Sequence, residues 1–361
     1  MSRLFDPVQI GPIEVRNRVW LSPMCQYSVE KKDGIVTDWH LVHLGTMARG
    51  GVGLVLTEST AVLPEGRISP QDTGIWGEEH VAPWARIVDI ITAAGATPGI
   101  QLGHAGRKAS TYAMESPIQG SVPAAEGGWP TVAPSASAYG AYAVPEALDD
   151  AGLRRVVEAF RAAAERAVRA GFEVLEIHAA HGYLLHQFLS PLSNERTDSY
   201  GGSLENRARL LLEVIRAVRE VAPEQAVIVR YSATDWVEGG LTVEETATVV
   251  GWAAEAGSDF SDISTGGNIP DAVIPVGPGY QVPAASLIRE RSGQPVAVVG
   301  MISDPIQAET ILTTGQADAV LVARELLRDP HFALRAAGRL RDDRLTPQRP
   351  YLRGGLPGQR G

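Results

Sequence analysis

Short apolar runs recur along the chain, and longer stretches with the amphipathic periodicity of helices separate them. Runs of this length that are rich in branched residues are typical of buried strands. They predict eight strands, over residues 19–21, 52–57, 97–102, 174–178, 227–231, 259–264, 296–299 and 319–322. The amphipathic stretches predict helices over residues 37–49, 79–94, 151–170, 204–221, 243–256, 284–291, 305–313 and 326–339.

The alternation of these elements indicates the fold class. Eight strands that alternate with helices favour a closed parallel (β/α)8 barrel, the TIM barrel, over an open doubly wound sheet. The chain has 361 residues, and such barrels often exceed the usual size of one domain. We therefore predict a single α/β barrel domain over residues 1–361.

Two segments depart from a minimal barrel. Residues 109–148 form a connection after the third strand that is rich in Pro, Gly, Ser and Ala. Connections of this length are uncommon unless they are functional or disordered. We expect a capping segment over the barrel mouth, with a disordered insertion as the alternative. Residues 345–361 predict an extended C-terminal arm, with a frayed terminus as the alternative.

Composition and charge narrow the class of protein. With 44% hydrophobic and 20% charged residues, the chain can bury a large core. A formal net charge of -10 argues against nucleic acid or an anionic membrane surface as a partner. No run approaches the roughly 20 apolar residues of a membrane span. Asp6 and Pro7 interrupt the amino terminus before a signal-peptide core, so a cytoplasmic location is the default expectation.

The fourth predicted strand ends in the residues with the clearest chemistry. His178, His181 and Tyr183 follow the apolar run, and Gly182 breaks it. Catalytic residues of (β/α)8 barrels lie at the carboxyl ends of strands. Two imidazoles and a phenol there provide two hydrogen-bond donors for a developing oxyanion and one proton source. The alternative is a pair of satisfied, partly buried histidines beside a core tyrosine.

The other strand ends bring further residues to the same mouth. They include Ser22, Pro23, Met24, Cys25, Tyr27, Glu58, Ser59, Thr60, Gln101, His104, Arg230, Ser264, Gly300, Ala323 and Arg324. Gly300 and Ala323 indicate a phosphate cradle, because small residues leave backbone N–H groups accessible, and Arg324 supplies charge. Alternatively, Arg324 only pairs with a nearby acid. Arg107 and Lys108 are either anion contacts or solvated charges.

Nucleotide, metal and disulfide motifs are largely missing from the sequence. Neither the dinucleotide fingerprint nor the P-loop occurs, so we predict no dedicated nucleotide domain. The pairs His178/His181 and His40/His43 have a metal-like spacing, but H-E-x-x-H is absent and we predict no metal. The alternative function is that of a metal-dependent barrel lyase or hydrolase that uses His178 and His181. Cys25, the single cysteine, excludes an intrachain disulfide and a Cys-ligated iron–sulfur cluster.

Several motifs taken together resemble those of the Old Yellow Enzyme family of FMN-dependent ene-reductases. They are residues 22–28 (SPMCQYS), 101–108 (QLGHAGRK), 178–183 (HAAHGY), 188–207 (FLSPLSNERTDSYGGSLENR) and 324–330 (RELLRDP). Cys25 after Pro-Met, the early Tyr27 and residues 351–354 resemble its thermophilic-like class. The likeness runs in order over nearly the whole chain.

The resemblance implies an oxidoreductase that binds FMN tightly and non-covalently across the barrel mouth. The FMN phosphate would contact Gly300, Ala323 and Arg324, and the pyrimidine edge would meet Gln101 and Arg230. The residues that would line the ring are Ser22, Pro23, Met24, Cys25 and Ser59. Cys25 would tune the flavin potential rather than act as a nucleophile.

The resemblance also implies a ping-pong reaction. NADPH or NADH would reduce the flavin in the substrate's own pocket, as in an NADPH dehydrogenase. His178 and His181 would donate to the carbonyl oxygen of an α,β-unsaturated carbonyl or a similarly activated alkene. Flavin N5 would give a hydride to the β-carbon, and Tyr183 would protonate the α-carbon. A flavin-binding redox sensor without turnover is the alternative.

The resemblance further implies an assembly of several subunits. Tyr27 would border the substrate, and Arg353 would reach the site of a neighbouring subunit in a homodimer or homotetramer. Two positions depart from the family pattern. Gln26 follows the cysteine where an apolar residue is frequent, and Gly354 and Gly355 follow Arg353 where an aromatic residue commonly closes the tail.

Overall fold

The structure is a computed structural model that describes residues 2–355. In chain order, its strands are β1 (Val8–Ile10), β2 (Ile13–Val15), β3 (Val19–Leu21), β4 (Leu54–Ala61), β5 (Thr97–Gly103), β6 (Val132–Ala133), β7 (Glu146–Ala147), β8 (Val174–Ala179), β9 (Ala226–Ser232), β10 (Phe260–Ser264), β11 (Val296–Val298) and β12 (Ala319–Val322). Its α-helices are α1 (Asp38–Arg49), α2 (Val81–Ala93), α3 (Asp150–Arg169), α4 (Leu184–Leu189), α5 (Leu204–Val221), α6 (Val243–Ala256), α7 (Val282–Ser292), α8 (Pro305–Thr313), α9 (Arg324–Arg328) and α10 (Phe332–Leu340).

Eight strands close into a barrel in the order β3, β4, β5, β8, β9, β10, β11 and β12. Every neighbouring pair is parallel, including β12 with β3, which closes the ring. Parallel strands need crossover connections, and helices provide most of them on the outside of the barrel. The predicted (β/α)8 barrel is therefore confirmed.

Two hydrophobic clusters lie on the two faces of the barrel sheet. Because strand side chains alternate between faces, one set packs outward against the helices and the other fills the lumen. Trp20 and Phe260 pack against each other in the lumen, with ring centroids 5.2 Å apart and an angle of 51° between the ring planes. The hairpin of β1 and β2 adds Val8, Ile10 and Val15 to the lumen cluster. Because this hairpin directly precedes β3, it closes the barrel at the end opposite the mouth.

Local capping signals explain why several helices begin and end where the periodicity predicts. At the start of α6, the Thr242 hydroxyl accepts from the Glu245 N–H at 3.1 Å, and the Glu245 carboxylate accepts from the Thr242 N–H at 3.1 Å. The helix ends at Gly257, whose φ of +115° is costly for other residues. Across residues 2–355, none of the helices combines the length and the apolar character needed to span a bilayer.

Three details differ from the predicted elements. The helix predicted over 326–339 is wrong, because Pro330 lacks an N–H and separates α9 from α10. Strand β4 continues to Ala61 through a shift of register between Leu56 and Ser59, so Glu58, Ser59 and Thr60 lie within it. The hairpin of β1 and β2, helix α4 and the β6–β7 pair were not predicted.

The segment over residues 109–148 contacts the loops at the carboxyl end of the barrel. Trp129 donates its indole N–H to the Glu65 carbonyl, 2.8 Å away, in the loop after β4. Arg107, after β5, donates to the Ser137 carbonyl at 3.1 Å, and Arg196 donates to the Pro134 carbonyl at 3.1 Å. These contacts place the segment on the mouth side of the barrel, while a capping role stays a prediction.

The C-terminal arm lies on the opposite side of its own barrel. The Tyr351 ring packs against the Arg49 guanidinium at 4.7 Å, and Gln348 donates to the Ala94 carbonyl at 3.0 Å. Both partners are at the carboxyl ends of helices and hence next to the amino ends of strands. Arg353 is exposed there and does not reach the mouth of its own chain. The last part of the predicted arm, residues 356–361, lies outside the described residues.

We expect Leu54→Ala, in the lumen, to lower the free energy of unfolding by about 2–5 kcal/mol, because it leaves a cavity that the closed barrel cannot fill. Leu54 is fully buried and Leu327, on the outside, is 49% exposed. The matched control Leu327→Ala should stay within about 0.5 kcal/mol of the parent. Denaturant unfolding measures both, and equal effects would contradict a packed lumen.

Candidate active site

Strand β8 and the turn after it bring three polar rings together. The His178 ring lies 5.2 Å from the His181 ring and 5.0 Å from the Tyr183 ring, between centroids. Both contacts are close to perpendicular, at 85° and 76°. The turn bends sharply because His181 and Gly182 have φ values of +60° and +73°. The predicted grouping of His178, His181 and Tyr183 is therefore present in the structure.

The strained turn is held from several sides. The His181 N–H donates to the Ser232 hydroxyl at 2.9 Å, and the His181 carbonyl accepts from the Lys108 ammonium at 2.8 Å. The Gly182 N–H donates to Nδ1 of His186 at 2.9 Å. Nε2 of His186 lies 3.2 Å from the buried Asp235 carboxylate. A non-glycine residue at positive φ persists only where the surroundings determine it, and these contacts supply that determination.

Lys108 contacts both the turn and two tyrosine rings at the mouth. Its ammonium also donates to the Gly267 carbonyl at 2.8 Å and lies 4.5 Å from the Tyr139 ring and 5.1 Å from the Tyr183 ring. Burial lowers the pKa of Lys108 to about 7, and Arg107 adds to the effect. Arg107 is itself buried and donates to the Asn268 carbonyl at 2.9 Å. Neither residue is therefore a solvated surface charge, which was one of the two alternatives that the sequence allowed.

The protonation states of the three rings follow from their surroundings. Burial lowers the pKa of His178 and of His181 well below the usual value, and the positive charge of Arg230 adds to it. Burial also raises the pKa of Tyr183 well above the usual value for a phenol. Near pH 7 the site therefore presents two neutral imidazoles and a protonated phenol.

The loop after β3 lines another side of the mouth. Cys25 packs with Tyr183 against Ile68, Ala105 and Ala109. Burial raises the pKa of the Cys25 thiol well above its usual value. The carboxyl groups of Asp72 and Glu58 add to this effect. The thiol is therefore neutral near pH 7, which argues against a nucleophilic role.

The amide of Gln26 is fully engaged. It donates to the Met24 carbonyl at 2.8 Å, and its oxygen accepts from the Trp39 indole at 3.2 Å. The Gln26 N–H donates to Glu58 at 3.0 Å, and Glu58 also lies 3.2 Å from Nε2 of His40. His40 is thus a structural residue. Within residues 2–355, no group of three or more His, Cys, Asp or Glu side chains could hold a metal ion.

A cavity of ≈ 260 Å³ lies at the mouth, and Ser264 in its lining contacts Nε2 of His181 at 2.8 Å. Its lining consists of Ser22, Pro23, Arg230, Ser264, Tyr280, Gln281, Val299, Gly300, Met301, Ile302, Ser303, Leu321, Ala323, Arg324, Glu325 and Arg328. Gly300 and Met301 have φ values of +136° and +51°, and a Cβ on Gly300 would lie 3.1 Å from the Gln281 amide. Arg324 is exposed and forms none of the ion pairs found among residues 2–355.

This cavity fits the phosphorylated, planar group that the sequence leads us to expect. Glycine backbone and Arg324 at one end provide N–H groups and charge for a phosphate. At the other end, Arg230 is 4% exposed and its Nε lies 3.1 Å from the Asp262 carboxylate, so its guanidinium brings positive charge to this end of the cavity. Gln101 on β5 is also buried, and Ser59 on β4 pairs with it in the register. The fold and site together define a barrel of the kind that enzymes use, with a cavity at its mouth whose lining suits an anionic group.

Comparisons with known proteins identify the family. The family model for the NADH:flavin oxidoreductase / NADH oxidase family matches residues 3–343. The NADPH dehydrogenase of Bacillus subtilis is 44% identical over 353 residues, which cover 98% of this chain and 99% of that protein. The NADPH dehydrogenase of Listeria welshimeri is 46% identical over 338 residues, 93% of this chain and 95% of that one.

Solved structures agree with the sequence relatives. Morphinone reductase superposes with a TM-score of 0.77 at 29% identity and covers 97% of this chain and 92% of its own. The old yellow enzyme homologue from Zymomonas mobilis gives 0.75 at 26% identity, with 92% and 91% covered. The chain belongs to the Old Yellow Enzyme family of NADH:flavin oxidoreductases. It is an NAD(P)H-dependent flavin oxidoreductase, as the sequence motifs predicted.

We expect Gly182→Ala to disturb the turn that carries His181 and Tyr183. A Cβ on Gly182 would lie 2.2 Å from the Gly267 carbonyl oxygen, so the two loops must separate. Gly239 has a similar φ, +75° against +73°, with nothing within 4 Å of its Cβ position. Gly239→Ala therefore controls for backbone strain, which costs roughly 1–2 kcal/mol.

In denaturant unfolding, Gly182→Ala should lose about 1–3 kcal/mol more than Gly239→Ala, as overpacked sites do. Equal losses would show that the contact between the two loops is loose.

Proposed function

We propose that the protein is an FMN-dependent ene-reductase that uses NADPH or NADH to reduce an activated alkene, such as an α,β-unsaturated carbonyl. The grouping of two neutral imidazoles and a protonated phenol within about 5 Å carries this proposal. The reaction needs hydrogen-bond donors at an oxygen that gains negative charge and an acid at the α-carbon. The three rings supply both.

FMN would be held by residues on both sides of the mouth. Gly300, Ala323 and Arg324 would take its phosphate, and Gln101 and Arg230 would meet its pyrimidine edge. The ring would be lined by Ser22, Pro23, Met24, Cys25 and Ser59. When bound non-covalently there, FMN supplies the hydride that it takes from NAD(P)H in a ping-pong cycle. Cys25, as a neutral thiol, would tune the flavin potential.

His178 and His181 would bind the substrate oxygen. Nδ1 of His178 accepts from the Ala180 N–H at 3.4 Å, which leaves the ring proton on Nε2 as a donor. Neutral imidazoles donate without a prior change of protonation. A developing enolate oxygen would also gain from the nearby positive charge of Arg230, which acts on both imidazoles.

Tyr183 would give its proton to the α-carbon. Its phenol stays protonated because it lies in a recess beside Cys25, Ile68 and Ala105. A phenol with a raised pKa is a weak acid in the ground state and transfers its proton only to the carbanionic carbon of the activated substrate. Tyr27, at φ +51° in the loop after β3, would border that substrate.

A homodimer or homotetramer would complete the site in this proposal. Arg353 lies on the far side of its own barrel, so only the arm of another subunit could bring this residue to the mouth. The exposed arm, with Tyr351 and Leu352 at 52% and 54% exposure, offers apolar surface for such a contact. Arg353 would then contact the substrate of the neighbouring subunit, as in the thermophilic-like class.

We expect Tyr183→Phe to slow alkene reduction by about 10²–10⁴-fold and to leave flavin reduction by NADPH largely intact, because only the second half-reaction needs the proton. Stopped-flow spectroscopy measures the two half-reactions separately. Tyr200, whose hydroxyl donates to Glu213 on the outer helices, gives the control Tyr200→Phe. Equal slowing of both half-reactions would refute the role of Tyr183.

We expect the double variant His178→Ala/His181→Ala to bind phenols at least about tenfold more weakly, because hydrogen bonds to a charged oxygen contribute ~1.5–3 kcal/mol each. A phenolate mimics the enolate, and its charge-transfer band with the flavin reports binding. His331, at the opposite end of the barrel beside Arg49, gives the control His331→Ala. Unchanged phenol affinity in the double variant would contradict the oxyanion assignment.

A further inference from the structure

Four polar side chains form a layer inside the barrel, between the mouth and the apolar lumen. They are Gln101, Glu176, Arg230 and Asp262, at 1%, 0%, 4% and 0% exposure. They come from the adjacent strands β5, β8, β9 and β10, and the register pairs Gln101 with Glu176 and Arg230 with Asp262. The other strands bring apolar residues, including Trp20, Leu56, Ala297 and Leu321, to the lumen.

The formal charges of this layer do not balance. Nε of Arg230 lies 3.1 Å from Oδ2 of Asp262, so this acid has a positive partner. Glu176 accepts from the Gln101 amide at 2.6 Å, which is a neutral partner. Two carboxylates beside one guanidinium would leave an uncompensated negative charge out of water, and a buried charge of that kind is strongly unfavourable.

The contact between the two acids resolves the imbalance. The carboxyl groups of Glu176 and Asp262 are within hydrogen-bonding reach of each other, yet carboxylates can only accept. Apart from the ion pair between Asp262 and Arg230, Oε1 of Glu176 and both oxygens of Asp262 have no other polar partner among the described residues. A proton on one acid converts the contact into a hydrogen bond.

The surroundings decide which acid keeps the proton. Burial raises the pKa of Glu176 well above its usual range, and the negative charge of Asp262 raises it further. Burial raises the pKa of Asp262 too, but Arg230 and the hydrogen bond from Glu176 oppose the rise. The charged or titratable groups that face the pair are Arg230 on β9 and, beside Arg230 in the register, His178 on β8.

We propose that Glu176 and Asp262 share one proton, which Glu176 carries and donates to Asp262, so that Asp262 alone balances the charge of Arg230. Glu176 is then a positioning residue. It accepts a hydrogen bond from the amide nitrogen of Gln101. The amide oxygen of Gln101 is then free to accept an N–H from a group bound at the mouth. Asp262, in turn, sets how much positive charge Arg230 presents to the mouth. The consequence for a bound flavin rests on the proposed function.

Two isosteric variants of the FMN-loaded protein test this assignment. Infrared spectroscopy should show the carbonyl stretch of a buried, protonated carboxyl group in the parent and lose it in Glu176→Gln. The midpoint potential of the bound flavin should stay near the parent value in Glu176→Gln, because a neutral group replaces a neutral group. It should rise in Asp262→Asn, because the uncovered charge of Arg230 stabilises the reduced, anionic flavin.

Two results would overturn the shared proton. One is a parent spectrum without the protonated carboxyl band, and the other is a potential that rises as much in Glu176→Gln as in Asp262→Asn. If the parent fails to bind FMN, the proposed function fails. The infrared band of the flavin-free protein then still shows whether the two acids share a proton. If FMN binds and the band is missing, only this inference fails.

The pH dependence of unfolding gives a second test that does not need Asp262→Asn to fold. With a raised pKa in the folded state, Glu176 keeps its proton while the unfolded chain releases it above about pH 4.3. The folding constant of the parent should therefore fall relative to Glu176→Gln, by up to about tenfold per pH unit, as the pH rises toward the folded pKa. Parallel profiles at equal FMN concentration would overturn the proposal.

Discussion

The two-residue alternation of a closed, parallel barrel is the constraint on which the site depends. Strand β8 shows it most clearly: Val174 fills the apolar lumen, Glu176 enters the polar layer, and His178 reaches the mouth. A shift by one residue would turn all three toward the helices. The three polar rings, the buried charges and the packed lumen are therefore positioned by one register, which barrel closure determines.

Local signals explain how much of this fold the sequence could reveal. The bounds of α5, α6 and α8 were predicted because apolar periodicity, caps and glycines act within a few residues. Pro330 also indicates the division between α9 and α10, but the prediction of one continuous helix did not take it into account. The register shift in β4 and the short helix α4 depend on partners distant in sequence, so periodicity alone could not find them.

The site was predictable where chemistry stands out and not where it depends on tertiary contacts. His178, His181 and Tyr183 were recognisable at the end of an apolar strand. Lys108 was left undecided, because its bond to the His181 carbonyl joins residues 73 positions apart. Glu176 was missed although a signal existed: it lies two residues before His178, so alternation places both side chains on the lumen side.

The charged groups of Arg230 and Asp262 lie in the buried layer, and the three neutral rings lie above them at the mouth. This arrangement suits the proposed reaction, in which a substrate oxygen becomes negative. Arg230 lies beside His178 in the register of β8 and β9, so its charge opposes a proton on either imidazole. The imidazoles therefore remain neutral, and Tyr183 remains protonated because burial opposes its ionisation. In the proposed reaction, an anion formed at the mouth would meet nearby positive charge without a prior change in the protonation of these rings. The same polar groups that are costly to bury thus need little reorganisation when charge develops.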